Sequence, residues 1–186
     1  MFMKLGFKSI TMDDIANEMC ISKKTIYKFF ANKEMLIAEA TQSVHEAVHK
    51  TLSEVRARKL NPIEENFEAR KVVKGIFQAA DTSPLFQLKK HYPEIYQTVV
   101  QREHDECNYF LRENIERGIA DGYYRKDINV QAAIRFYNTL IFNINESVAL
   151  EKEAQILETE ALVYHTRAIA TLKGIAELEK QLSINS

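Results

Sequence analysis

Tryptophan is absent from this chain of 186 residues, glycine and proline are scarce at five and three, and no arginine stands before Arg56. So few helix breakers, beside plentiful Ala, Leu, Ile, Glu and Lys, exclude a turn-rich β architecture and predict an all-α chain of one or two domains. No run of about 18 apolar residues occurs, which excludes a membrane-spanning helix. Lys4 and Lys8 interrupt the only apolar start and argue against a signal peptide. The two cysteines, Cys20 and Cys107, form no metal-binding or redox motif and suit a reducing compartment, the cytoplasm.

Charge is near balance, 25 Lys+Arg against 26 Asp+Glu, yet it is unevenly placed. Residues 1–33 hold six lysines (4, 8, 23, 24, 28 and 33) against Asp13, Asp14 and Glu18, a net +3 that leaves −4 for the remainder. A basic head on an acidic body favours a polyanion at one end and repels it elsewhere.

The head carries its own punctuation. Thr11 is placed to cap a short helix, Met12–Met19, with Asp14 completing a capping box and Ile15, Ala16 and Met19 facing inward. Cys20-Ile21 allows only a turn. Ser22 then caps a second helix, Lys23–Phe30, with Ile26 and Phe30 inward and Lys23, Lys24, Thr25, Tyr27 and Lys28 outward. Two short helices joined by a tight turn, the second presenting lysines, a hydroxyl and a phenol, make a helix-turn-helix suited to phosphates and base edges in a DNA major groove. An ordinary helical hairpin with a solvated lysine face is the bland alternative.

At these residues a family resemblance enters. Gly6-Phe7-Lys8-Ser9-Ile10-Thr11, Ile15-Ala16, the run from Ile21 to Phe30 and Asn32-Lys33-Glu34 resemble the DNA-binding domain of the tetracycline-repressor (TetR) family. The resemblance implies a ligand-responsive transcription regulator, a repressor rather than an enzyme, that binds a palindromic double-stranded operator as a homodimer and needs no cofactor. Two departures stand out. Cys20 occupies a turn position where the family usually has glycine. Only Met1–Leu5 precede Gly6, where the family's first helix usually has about three turns, so the start of that helix and any basic arm before it are expected to be missing.

The fold expected is therefore a three-helix helix-turn-helix head, residues 1–40, joined by a long helix to a helical ligand-binding and dimerisation body, residues 41–186. Asn32 caps the joining helix, Lys33 to about Arg58, which Met35, Leu36 and Ala38 anchor to the head. It would act as a rod that transmits movement of the body to the head. Further helices are expected from Asn61-Pro62 to about Ala80, Ser83-Pro84 to about His91, and Glu94 to about Ala120. Another follows a cap at Asp127 or Asn129 to about Leu150, and a single last helix runs from about Glu153 to Leu182.

Site residues follow from that frame. Lys8, Thr11, Tyr27, Lys28 and Lys33 are expected at phosphates, with Lys24 and Thr25, and less so Lys23, at base edges. A head without arginine lacks the side chain best shaped for guanine, so direct reading leans toward A·T pairs. Residues 130–148 are apolar on more than one face, which one core cannot bury. With Ile144 there, the stripe Leu162, His165, Ala168, Ile169, Leu172 and Ala176 on the last helix is expected to form a dimer interface; the alternative is plain core in a monomer. Phe77, Tyr96, His104, Phe110, Tyr137, Asn138 and Phe142 are candidates for a pocket that takes a small apolar or aromatic effector.

Two decoys need weighing. His45-Glu46-Ala47-Val48-His49 literally matches H-E-x-x-H, in which histidines one turn apart bind zinc and the glutamate acts as base. No third ligand or downstream signature accompanies it, so no metal site is assigned, and incidental metal binding by His45 and His49 stays open. His104 and Cys107 lack the third orienting group a nucleophilic pair needs, and Cys20 as a redox switch has only nearby lysines in its favour. The competing functions are a helical small-molecule-binding protein without a DNA role and, remotely, a metal-dependent hydrolase using His45, Glu46 and His49.

Overall fold

Residues 1–184 are described by a computed structural model, and among them ten helices account for the regular structure. These are α1 (Phe2–Leu5), α2 (Met12–Glu18), α3 (Lys23–Tyr27), α4 (Lys33–Ala57), α5 (Pro62–Phe77), α6 (Pro84–His91), α7 (Pro93–Ala120), α8 (Val130–Ser147), α9 (Glu151–Ile169) and α10 (Leu172–Ile184). The starts are set by side-chain caps at the residues the sequence marks. Thr11 and Asp14 form a reciprocal capping box, Thr11 N donating to Asp14 Oδ2 at 2.8 Å and Asp14 N to Thr11 Oγ1 at 3.1 Å. Ser22, Asn32, Asn61, Ser83 and Asn129 cap α3, α4, α5, α6 and α8 in turn.

Several expectations need correction. The second helix of the head stops at Tyr27, not Phe30, because Lys28 N and Phe29 N bond three residues back, to Thr25 O at 3.3 Å and Ile26 O at 3.0 Å, and tighten the chain out of the α-helical ladder. Met19 does not face inward: it is 59% exposed, and Met12 fills the inner face beside Ile15 and Ala16. The last helix is two helices. Ala170 is extended, Arg125 N bonds to Ile169 O and Thr171 N to Tyr123 O, both at 2.9 Å, and Thr171 Oγ1 accepts from Gly174 N to start α10. The loop 122–125 thus takes up the backbone groups that a continuous helix would have used internally.

The turn of the head is closed by a Schellman arrangement. Cys20 N donates to Asn17 O at 3.1 Å and Ile21 N to Ala16 O at 3.0 Å, with Cys20 at φ 54°. Cys20 therefore keeps the left-handed backbone that suits glycine, at a cost of about 1–2 kcal/mol for a side-chain-bearing residue. Cys20→Gly is expected to stabilise the protein by about 0.5–1 kcal/mol, since glycine's added freedom in the unfolded chain offsets only part of that cost. A urea midpoint that falls in the variant would contradict this account.

Head and body share a core. Phe2, Phe7, Ile10, Met12, Ile15, Ala16, Ile26 and Ile37 pack with Leu88 of α6 and Val99 of α7. Ile37, wholly buried, and the half-buried Leu36 anchor α4, whereas Met35 and Ala38 are exposed, contrary to expectation. Gly6, at φ 87°, has no Cβ to block Gln87, whose Oε1 accepts from Phe7 N at 2.9 Å. Tyr92 OH donates to Phe7 O at 3.4 Å. The rod α4 is thus not the sole link between head and body; α6 grips the head directly.

The far end of the body has a second core around Ile63, Phe67, Ile115, Tyr124, Ile134 and Leu178. A buried polar knot locks it: Asn114 Nδ2 donates to Pro62 O (2.9 Å) and Glu65 Oε1 (3.0 Å), and Arg117 pairs with Glu65 at 2.7 Å. Tyr124 lies flat against α7 only because Gly118 has no side chain; a Cβ there would stand 2.1 Å from the ring.

Candidate nucleic-acid interface and interior cavity

The first turn of α3 stands free of the core, which Ile26 alone of its five residues enters. Lys24, Tyr27, Lys28 and, across the head, Lys8 are exposed. Others of the expected contacts are already engaged. Lys23 Nζ pairs with Asp13 at 2.8 Å. Thr11 Oγ1 donates to Asp14 Oδ2 at 2.7 Å, and Thr25 Oγ1 lies 2.7 Å from Ser22 Oγ, which leaves the Thr25 methyl as its unengaged part. Lys33, expected at a phosphate, is turned back: its Nζ donates to Lys8 O at 3.2 Å and sits 6.0 Å from the Tyr92 ring centre. Among the described residues the exposed lysines of the head without an ion pair or side-chain hydrogen bond are therefore Lys4, Lys8, Lys24 and Lys28, side chains suited to the phosphate backbone flanking a groove.

Behind the head lie two adjoining cavities, about 190 and 220 Å³. Both are bounded by α4, α5, α7 and α8 and share His45, Val48, Val73, Glu103, Cys107, Ile141 and Glu158. Polar clasps tie α4 to α7 along their length: His45 Nδ1 to Glu103 Oε1 at 2.8 Å, His49 Nε2 to Glu106 Oε2 at 3.3 Å, and Arg102 to Gln42. Of the candidate pocket residues, Phe77 and Phe142 line the first cavity and Phe110, Tyr137 and Asn138 the second. Tyr96 and His104 line neither. Tyr96 OH bonds to Glu146, and the exposed His104 bonds to Asn108 at 2.8 Å with its ring against Phe142. The glutamates and His45 were missed because a charged residue on a helix reads locally as surface; only the non-local packing of α4 on α7 turns them inward.

The decoys resolve in the same geometry. Each imidazole of the H-E-x-x-H stretch takes its own glutamate from α7, and Glu46, exposed, accepts from Gln42 instead of aiming between them. Among the described residues no three His, Cys, Asp or Glu side chains are placed to hold a metal ion. Burial pushes the Cys107 thiol up to about 12, with Glu103 and Glu106 adding to it, so it stays protonated and inert.

The outer face of α8, α9 and α10 corrects the expected stripe. Leu162, His165 and Ile169 are buried within the chain, so they cannot meet a partner. The His165 ring lies tilted against Tyr137, centroids 4.8 Å apart, and burial lowers its pKa to about 4. Leu172 is 90% exposed, Ala168 and Ala176 are also exposed, and Ile144 is half-buried. Beside them stand Phe136 (68% exposed), Leu140, Ile156, Leu157 and Tyr164 (72%), an apolar face one chain leaves in water.

A helix-turn-helix head with exposed lysines, gripped by a helical body that contains a cavity, has the build of a DNA-binding regulator. Residues 1–40 match the family described as bacterial regulatory proteins, tetR family. The HTH-type transcriptional repressor KstR2 of Mycobacterium tuberculosis is 24% identical, over 73% of this chain and 70% of that protein. A TetR-family transcriptional regulator from Agrobacterium tumefaciens has the same fold, with a TM-score of 0.71 at 16% identity over 91% of this chain and 92% of that one. So has a gamma-butyrolactone receptor, at 0.68 and 12% identity over 98% and 88%. Residues 1–40 thus carry a TetR-type DNA-binding head, and the chain as a whole shares the fold of TetR-family transcriptional regulators.

Proposed function

We propose that this regulator is a repressor that binds a two-fold operator as a homodimer and leaves it when a small molecule fills the cavity behind the head. Lys24 and the Thr25 methyl of each α3 read the major groove, while Lys8, Lys28, Tyr27 and, once released from their partners, Thr11, Lys23 and Lys33 hold phosphates. Two copies pair through the apolar face of α8 and α9, so that two heads meet half-sites one helical turn apart.

The observation that carries the ligand response is the wall of the first cavity. Met3 and Phe7 belong to the head, Leu88 to α6 and Val48 to α4, so an occupant touches all three at once. A ligand that prefers a wider cavity shifts the population toward heads spaced wrongly for DNA, by as much as its affinities for the two states differ. The small-molecule receptor of the same fold is consistent with this reading.

Fluorescence anisotropy with DNA selected from a random library tests it. Two protomers are expected per selected duplex, with half-sites in inverted repeat. A single protomer per site, or no selected sequence at all, would overturn the proposal.

A further inference from the structure

The first cavity is apolar in its walls but not in its charge. Val73, Phe77, Leu85, Ile141 and Phe142 form much of its surface, and three carboxylates, Glu103, Glu151 and Glu158, enter it. Two of these are answered. Glu103 holds His45 at 2.8 Å, and Glu158 pairs with Arg70 at 2.6 Å and with Asn145 Nδ2. Arg70 is itself saturated, donating also to Thr159 Oγ1 at 3.0 Å and Gln155 O at 2.5 Å, so it has little left for an anionic ligand.

Glu151 is different. It is 6% exposed, its Oε1 accepts from Gln155 Nε2 at 2.8 Å, and its Oε2 is buried with no hydrogen-bond partner among the described residues. A buried carboxylate oxygen without a donor is costly, and a cation that donates a hydrogen bond removes that cost. Burial, and Glu158 after it, raise the Glu151 pKa, while the Gln155 bond and Arg70 work against this rise. Lys74 stands exposed at the rim of the same cavity.

We infer that the effector is an amphipathic organic monocation, a protonated amine toward which the Glu151 carboxylate turns its sealed Oε2, while its apolar body fills the space between Phe77, Leu88 and Phe142. The inference rests on the reading of this cavity as the effector site. An acidic interior with apolar walls selects for charge and for a hydrocarbon body together. A neutral ligand would leave Glu151 unanswered, and an anion would add a like charge beside it.

Calorimetric titration with octylammonium, octanol and octanoate tests the charge class. Octylammonium is expected to bind roughly tenfold to a hundredfold more tightly than octanol, the range of one charge-assisted hydrogen bond, with octanoate weakest. Glu151→Gln should bring octylammonium down to the affinity of octanol and leave octanol unchanged. Lys74→Met, a change at the exposed rim that does not endanger folding, should tighten octylammonium severalfold and leave octanol alone. Equal binding of alcohol and amine, a preference for octanoate, no binding by any of the three, or a preference indifferent to both substitutions would overturn the inference. Operator release is read in parallel. Octanoate that binds and releases DNA would sink the charge class and leave the effector reading intact. Octylammonium that binds through Glu151 without touching operator affinity would do the reverse.

Discussion

Operator affinity is expected to fall roughly 10³–10⁵-fold between about 50 and 200 mM salt, if two heads together neutralise about six to ten phosphates. Each head offers Lys8, Lys24 and Lys28 freely, with Lys23 and Lys33 available only by exchanging Asp13 and Lys8 O for a phosphate oxygen. Counterion release from DNA then dominates the free energy of binding. Lys28→Ala should weaken all sequences alike and lower the slope of log affinity against log salt by about two for a dimer, one per head. Lys24→Ala should also relax sequence preference, because a residue that reads base edges carries discrimination that a phosphate contact does not. Anisotropy titrations at four salt concentrations decide the matter; an affinity indifferent to salt would remove the lysines from the interface.

Phe136→Glu is expected to raise the dimer dissociation constant by about a hundredfold or more, and so to yield monomer in sedimentation at micromolar concentration. The wild type should sediment near twice 21.5 kDa. Phe136 is 68% exposed on α8 beside Leu140, and a carboxylate there would be buried unpaired when the faces meet. Leu162→Ala gives the contrast. Leu162 is 2% exposed inside the chain, so its truncation should lower folding stability by about 2–5 kcal/mol and act on pairing only through that loss. A wild type that sediments as a monomer would leave the face of α8 and α9 without a role and the two-fold operator without a basis.

These residues mark where sequence reasoning reaches and where it stops. Thr11, Ser22, Asn32, Asn61 and Asn129 could be read as caps because a cap acts within three residues of itself. The cap at Thr171 had the same local form, but apolar spacing ran on through it, and the break depends on a loop nearly fifty residues away, Thr171 N bonding to Tyr123 O. Leu162, His165 and Ile169 were expected at a dimer interface and are covered by their own chain instead. Helical periodicity says that a face is covered and cannot say whether its own chain or a second one covers it. The cavity was half legible for a similar reason. Aromatics such as Phe77, Phe110 and Phe142 announce an interior, while Glu103, Glu151 and Glu158 acquire one only through tertiary packing.

The grip of α6 on the head has a consequence for modularity. Family relatives invite treatment of the helix-turn-helix as a cassette, to be cut after residue 40 and grafted onto a foreign body. In this chain such a graft would part Phe7 N from Gln87 Oε1 and strip Leu88 and Val99 from the core around Phe7 and Ile37. Phe7, wholly buried here, would open to water on that side. A chimera that keeps its shape must carry α6 and the first turns of α7 along with the head, so the unit that can be transplanted is discontinuous in sequence.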